Sequence, residues 1–151
     1  MSKRQTILLV DDSENDLDLM RIGFKKAQCP IPLQEVHDGE EAIAYLQGEG
    51  DYGDRTQYSL PTVVLLDLNM PRKNGFEVLA WVRSQPGLKR IPVVILTASL
   101  RTEDVQRAFD LGANAFLCKP PTLDQLTTMI RRFCDWLDIN QFPVLNEVVP
   151  Q

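Results

Sequence analysis

Polar side chains follow four apolar runs of this sequence, each at the point where the run ends. Asp11 and Asp12 follow the first run and Asp67 follows the third, while Thr97 and Lys119 follow the fourth and the fifth. If these runs are parallel strands, their carboxyl ends lie along one edge of the sheet, where ligand sites form in open α/β folds. We therefore expect three carboxylates, a hydroxyl and an ammonium to converge in one cleft.

This set of side chains suits a divalent cation and a phosphate. Clustered carboxylates repel one another unless a cation neutralises them. Carboxylate oxygens are hard ligands for Mg²⁺, which keeps several waters and usually shares a substrate phosphate. Each residue alone has a simpler interpretation, as a helix cap, a charged strand end or a turn residue. Their placement at the ends of four different strands is not explained by chance.

The apolar runs alternate with amphipathic segments, which predicts an α/β sandwich with right-handed crossovers. Residues 63–66 and 93–96 are apolar at every position, as expected for strands that helices cover on both faces. We read 48–61 as a long surface loop. Ser13 is a predicted N-cap, with Asp16 three residues later, and Gly112 is a predicted C-cap after Leu111. The predicted strands are 6–10, 33–37, 62–66, 92–96 and 115–118, and the predicted helices are 14–27, 39–47, 74–84, 101–111 and 122–137.

Composition argues against several functions. The net charge of −5 disfavours direct nucleic-acid binding. Apolar runs are too short for a membrane span or a signal-peptide core, so we expect a cytoplasmic protein. Cys29, Cys118 and Cys134 are widely spaced and odd in number, which favours reduced, partly buried thiols over a disulfide framework. His37 has no neighbouring Cys or His, and we expect a structural or incidental role for it.

Four segments resemble the receiver domains of two-component response regulators, which are CheY-like domains. These segments are LLVDD at 8–12, LLDLNMP at 65–71 with Gly75, LTA at 96–98 and CKP at 118–120. The resemblance implies a flavodoxin-like three-layer sandwich, with a doubly wound five-stranded parallel sheet in the order 2-1-3-4-5 and five helices. It places a receiver domain at 1–137 and a C-terminal extension at 138–151. Segments 51–61 and 71–75 are similar to those of small cyanobacterial phytochrome-associated regulators.

The resemblance also implies a role for each acidic residue. Asp67 would accept a phosphoryl group from a phosphohistidine on a sensor histidine kinase. Asp12 and Asp67 would bind Mg²⁺ directly, together with the backbone carbonyl of Asn69, while Asp11 would act through a water. Phosphoryl transfer needs in-line positioning and charge neutralisation above all, which these residue types can supply.

The remaining motif residues would stabilise and sense the phosphoryl group. Lys119 would pair with it, and the Thr97 hydroxyl would donate a hydrogen bond to one of its oxygens. Phe116 matches the aromatic residue that moves inward when Thr97 is drawn toward the phosphate. In the family the bond between Lys119 and Pro120 is cis, and we expect the same here.

Three other functions use related features. A phosphatase of the haloacid dehalogenase type needs a second Asp two positions after its nucleophile, where this chain has Asn69. A flavodoxin-like cofactor binder needs a Ser/Thr/Gly-rich phosphate loop where Asp11 and Asp12 stand. A receiver within a transcription factor needs more chain than the 14 residues after Leu137. We therefore expect a single-domain signalling protein that is not an enzyme.

The C-terminal extension is unusually apolar for a free tail. It contains Phe142, Val144, Leu145, Val148 and Val149, and Pro143 prevents a simple continuation of the last helix. The extension either folds back over its own domain or packs against a second subunit. We favour a homodimer through the face formed by the fourth helix, fifth strand and fifth helix. The partner would be a sensor histidine kinase of the phytochrome type.

Overall fold

Five parallel strands form one sheet in the computed structural model, which describes residues 5–145. Their order is β2-β1-β3-β4-β5, so the predicted fold class and strand order are confirmed. The strands are β1 Ile7–Val10, β2 Leu33–Val36, β3 Val63–Leu66, β4 Val93–Thr97 and β5 Ala115–Cys118. The helices are α1 Glu14–Lys26, α2 Gly39–Gln47, α3 Gly75–Ser84, α4 Thr102–Asp110 and α5 Leu123–Ile139.

Side chains of the central strands alternate between two apolar layers. On β1, Ile7 and Leu9 pack with α1 and α5, whereas Leu8 and Val10 pack with α2, α3 and α4. The strand is buried at every position, which explains its unbroken apolar sequence. The two layers hold the sheet edge rigidly, so residues that follow the strands have defined positions.

Local signals in the sequence explain where several helices begin and end. The Ser13 hydroxyl accepts a hydrogen bond from the Asp16 N–H, as predicted for the start of α1. Asn74 and Glu77 form a capping box at the start of α3. α4 ends one residue earlier than predicted, with Leu111 as its C-cap, and Gly112 follows with φ of 102°, a conformation that favours glycine.

The loop at 48–61 contains a short 3-10 helix, Gly50–Gly53, and an arginine of the loop forms hydrogen bonds with α2. Arg55 donates hydrogen bonds to the carbonyls of Tyr45 and Leu46 in α2 at 2.8 and 2.9 Å. Tyr45 packs beneath the loop, and burial raises the pKa of its hydroxyl to about 12. The long loop therefore packs onto the helix that precedes it.

The chain after α5 lies against its own domain as far as the structure describes it. α5 ends at Ile139, two residues beyond the predicted boundary at 137. The Phe142 ring packs edge to face on Trp136, with 5.9 Å between the ring centroids. Leu145 packs beside the layer of α2, α3 and α4. Residues 146–151, which include Val148 and Val149, lie outside the described residues.

The expectation of three reduced thiols is wrong, because Cys29 and Cys134 form a disulfide. Cys29 follows α1 and Cys134 lies on α5, and these two helices pack side by side on the same face of the sheet. Their Cα atoms are 6.1 Å apart although 105 residues separate them in sequence. Sequence spacing alone does not reveal this neighbourhood. Cys118 remains a free thiol.

The expectation of a cis bond before Pro120 is also wrong. None of the peptide bonds between residues 5 and 145 is cis, so the bond from Lys119 to Pro120 is trans. The trans form is the lower in energy by about 0.5–1 kcal/mol for a bond that precedes proline. With this trans bond the Lys119 side chain still reaches the acidic cleft.

Within the same residues, no helix has the length and apolar character needed to cross a membrane.

Candidate phosphoacceptor site

The three carboxylates predicted to converge lie together at the carboxyl edge of the sheet. One oxygen from each of Asp11, Asp12 and Asp67 lies within 4.8 Å of the other two. The backbone N–H of Asp67 donates to the Val10 carbonyl at 3.0 Å, and that of Asp11 donates to the Val36 carbonyl at 3.2 Å. Asp11 and Asp67 are only 6% and 7% exposed, whereas Asp12 is exposed. The cluster therefore sits beside β1 and β3, where the strand order reverses.

Lys119 brings a positive charge into this cluster from the end of β5. Its Nζ donates to Asp11 Oδ2 at 2.7 Å, to Asp16 Oδ2 at 2.7 Å and to Asp67 Oδ2 at 3.3 Å. Burial alone would lower the pKa of Lys119, but the hydrogen bonds to Asp11 and Asp16 and the charge of Asp67 raise it above its ordinary value. The side chain is therefore an ammonium at neutral pH.

Burial opposes the negative charge of Asp11 more strongly than its neighbours support it. Burial raises the pKa of the Asp11 carboxyl, while hydrogen bonds from Lys119 and from the Ser13 N–H lower it. The net pKa lies above the ordinary value of an aspartate. The Lys119 ammonium therefore offsets only part of the cost of burying the negative charge of Asp11.

The loop that leaves β3 approaches the cluster closely and depends on a glycine. A Cβ atom at Gly75 would lie 2.3 Å from the Asp67 carbonyl oxygen, so a larger residue would push α3 away. The Gly75 N–H donates to the Leu68 carbonyl at 2.9 Å. Asn69 is exposed on this loop, and its N–H points toward Asp67 Oδ1 at 3.5 Å. The backbone carbonyl of Asn69, the predicted Mg²⁺ ligand, belongs to the residue two positions after Asp67.

A second contact joins the far part of this loop to the start of α2. Arg72 has φ of 67° and donates from Nε to Asp38 Oδ2 at 2.9 Å. Burial would raise the pKa of Asp38, but hydrogen bonds from the Glu41 N–H and Arg72 lower it. A Cβ atom at Gly39 would lie 2.1 Å from the Lys73 carbonyl oxygen. The loops after β2 and β3 therefore pack too closely for larger residues.

Thr97 and Phe116 lie on adjacent strands behind the acidic cluster. Thr97 ends β4, is fully buried, and its Oγ1 has no hydrogen-bond partner between residues 5 and 145. A buried hydroxyl without a partner is costly, so an additional acceptor oxygen would stabilise it. Phe116 on β5 pairs in register with Ile95 and is partly buried against the layer of α2, α3 and α4.

Asp16 is the residue near the site that sequence reasoning missed. Its place three residues after Ser13 suggested a helix cap, and the backbone does form one. The signal for a second role was its position in the first turn of α1, because helical side chains lean toward the N-terminus of the helix. The Asp16 carboxylate therefore points back toward the cluster and reaches Lys119.

His37 lies at the surface beside two glutamates. Its Nε2 is 3.1 Å from a Glu14 carboxylate oxygen, and its Nδ1 is 3.3 Å from one of Glu41. The side chain is 48% exposed. These contacts are consistent with the structural role expected from the sequence.

The acidic cluster has the donor set that Mg²⁺ requires. Three carboxylates offer hard oxygens at short mutual distances, and one of them, from Asp12, is open to solvent. The cluster keeps a net negative charge even with Lys119 beside it, since one ammonium faces three carboxylates. A divalent cation would remove this excess.

Comparisons with known proteins agree with this geometry. Residues 7–131 match the response regulator receiver domain. Response regulator Rcp1 of Synechocystis sp. is 39% identical, over 92% of this chain and 93% of that protein. The crystal structure of the phosphorylated cyanobacterial phytochrome response regulator RcpA is 38% identical, with a TM-score of 0.85 over 93% of this chain and 99% of that one. The Mn²⁺-bound form of Rcp1 has a TM-score of 0.81 at 38% identity and the same coverage.

The function follows from the agreement between sequence, fold and relatives. A receiver domain accepts a phosphoryl group in a two-component system, uses a divalent metal and implies a sensor kinase as its partner. It acts in signalling. The chain belongs to the response regulator receiver domain family.

Proposed function

We propose that Asp67 is the residue that accepts the phosphoryl group. The observation that carries this proposal is a buried carboxylate at the end of β3 that faces the Lys119 ammonium at 3.3 Å, with two further carboxylates beside it. An Asp67 oxygen attacks the phosphorus of a phosphohistidine on the sensor kinase. The P–O bond forms as the P–N bond breaks, and the electron pair leaves with the imidazole nitrogen. The product is an acyl phosphate.

The other residues of the site position and neutralise the phosphoryl group. Lys119 pairs with its oxygens, and the Thr97 hydroxyl donates to one of them after transfer, which would satisfy a hydroxyl that is otherwise unpaired. The residues that would hold Mg²⁺ are Asp12 and Asp67 directly, the Asn69 backbone carbonyl, and Asp11 through a water. Mg²⁺, when bound, supplies positive charge beside the phosphoryl oxygens.

Labelling with a small phosphodonor tests the identity of the acceptor. Incubation with acetyl phosphate and Mg²⁺ should add one phosphoryl group to the wild type, measured by intact-protein mass spectrometry. Asp67→Asn should abolish the added mass, because the amide cannot form an acyl phosphate. Asp135→Asn, which changes an exposed carboxylate on α5, should be labelled like the wild type. Full labelling of Asp67→Asn would assign the chemistry to another residue.

The metal site makes a prediction about stability. Asp67→Asn should raise the melting temperature of the metal-free protein, because it removes a buried charge from a cluster with excess negative charge. We expect the free energy of unfolding to increase by about 1 kcal/mol. Mg²⁺ should raise the melting temperature of the wild type, since it binds the native state, and raise that of Asp67→Asn much less. Asp135→Asn again serves as the control for a general loss of negative charge. A metal-free melting temperature that is equal or lower in Asp67→Asn would contradict the clustered site.

We propose further that Thr97 and Phe116 transmit phosphorylation to the face of α4, β5 and α5. Thr97 is bonded through its carbonyl to the Lys119 N–H at 2.8 Å, so β4 and β5 are linked next to the site. Phe116 on the edge strand β5 is only partly buried, so its ring is not enclosed by the core. A new charge at Asp67 would bias such a two-state element.

Chemical shifts of backbone amides measure this coupling. Phosphorylation of the wild type should shift amides of α4, β5 and α5, and Thr97→Ala should accept phosphate yet show much smaller shifts there. Thr56→Ala in the 48–61 loop removes a similar side chain far from the switch and should respond like the wild type. Equal responses of Thr97→Ala and the wild type would refute the coupling.

We also propose that the domain, 1–137, with its extension, 138–151, forms a homodimer through the same face. β5 is an edge strand whose residues are all only partly buried. An apolar groove of about 440 Å³ lies between β5 and α5, and it is lined by Leu117, Met129 and Trp136 among others. Phe109 on α4 is 50% exposed. This face thus presents apolar surface that a second copy would cover.

Light scattering at high micromolar concentration tests the dimer. The wild type, alone or with beryllofluoride as an acyl-phosphate mimic, should have twice the monomer mass. Phe109→Glu should be monomeric because it places a charge in the apolar face. Ile22→Glu changes a residue of similar exposure, 43%, on α1 and should remain dimeric. A monomeric wild type under both conditions would rule the dimer out.

We propose a kinase class and a compartment for this protein. The RcpA and Rcp1 likenesses support a sensor kinase of the phytochrome type as the phosphodonor. A net charge of −5 supports signalling without direct nucleic-acid contact. We propose the cytoplasm as its compartment.

A further inference from the structure

The contact between Asp16 and Lys119 has no part in the proposed phosphoryl transfer. Asp16 Oδ2 lies 2.7 Å from Lys119 Nζ, as close as Asp11 Oδ2 does. Asp16 is a residue of α1 and not of a strand end, so it reaches the site from the helical layer. The site therefore holds a fourth carboxylate, that of Asp16, outside the acidic cluster of Asp11, Asp12 and Asp67.

The three N–H groups of the ammonium are already committed. A lysine ammonium has three donors, and Lys119 has three carboxylate acceptors. Two contacts are short, and the third and longest, 3.3 Å, is the one to Asp67. In this arrangement the ammonium lies closer to Asp11 and Asp16 than to the proposed phosphoacceptor.

To move from its 3.3 Å contact with Asp67 to close pairing with a phosphoryl group there, the ammonium has to lengthen one of its two short contacts. The Asp11 side chain is 9% exposed and the Asp16 side chain is 34% exposed. Water can therefore solvate a released Asp16 carboxylate, whereas a released Asp11 would stay buried with only the Ser13 N–H as a donor, which costs more. Asp16 is the partner that Lys119 gives up at the lower cost.

We propose that Asp16 is a positioning residue that restrains Lys119 in the unphosphorylated protein. On phosphorylation, the N–H groups that donated to Asp67 and Asp16 donate to phosphoryl oxygens, and the contact to Asp11 remains. This inference rests on Asp67 as the phosphoacceptor. Because the exchange must precede or accompany transfer, the restraint slows phosphorylation, and its removal accelerates it.

Rates of labelling test the restraint. Asp16→Asn and Asp16→Ala, incubated with acetyl phosphate and Mg²⁺, should gain the phosphoryl group roughly three- to five-fold faster than the wild type, the scale of one partly exposed ion pair. Both variants keep the backbone N–H that Ser13 caps. Asp18→Asn is the matched control, since Asp18 lies two residues further along α1 and contacts Arg21 instead. Its rate should equal that of the wild type.

A double-mutant cycle separates this restraint from simple repulsion of the donor. In a Lys119→Ala background there is no ammonium to release, so Asp16→Asn should leave the slow labelling rate unchanged. The inference is overturned if Asp16→Asn is as slow as the wild type or slower, or if its acceleration persists in the Lys119→Ala background. Those results leave Asp67 as acceptor intact, whereas a wild type without label at Asp67 would overturn the proposed function itself.

Discussion

Lys119 donates to three carboxylates, and its ammonium allows the carboxyl edge of the sheet to hold so much negative charge. Parallel strands bring their ends together, so aspartates after β1 and β3 must lie side by side. Two of them are also buried, and buried charges without a partner destabilise a fold strongly. The lysine from β5 reduces this cost without removing it. The remaining negative charge is what makes the cleft receptive to a cation.

The protein combines a rigid set of acids with one unsatisfied donor. Backbone hydrogen bonds to neighbouring strands fix Asp11 and Asp67, and the close approach of Gly75 fixes the loop beside them. Thr97, in contrast, keeps a buried hydroxyl without a partner in the described part of the chain. Reactive groups gain from rigidity because less entropy is lost on reaction. A sensing group gains from an unmet hydrogen bond, since a new oxygen nearby changes its preferred position.

The sequence predicted those features of the fold and the site that depend on a single strand or a single helix. Unbroken apolar runs at 63–66 and 93–96 identified buried parallel strands, and polar residues after the strands identified the cleft. Contacts between distant segments were not predictable. Arg72 and Asp38 are 34 residues apart, and Cys29 and Cys134 are 105 residues apart, so each pair meets only because helices and loops pack side by side.

Asp16 shows a further limit of reading the sequence. The residue satisfied a local rule, the helix cap, and this explanation was correct for its backbone. Its carboxylate accepts a hydrogen bond from Lys119, which lies 103 positions later in the sequence. A rule based on neighbouring residues cannot predict such a contact. One residue can therefore serve a helix end with its backbone and a distant site with its side chain.

The disulfide gives the chain a particular topology. It closes a loop that contains β2, β3, β4 and β5, while β1 and α1 lie before the loop begins. Yet β1 sits inside the sheet, between β2 and β3. Cross-linking over about 100 residues lowers the entropy of the unfolded chain by an amount worth about 4.7 kcal/mol. The oxidised chain thus resembles a closed ring with a free N-terminal arm, and folding inserts that arm between two strands of the ring to complete the sheet.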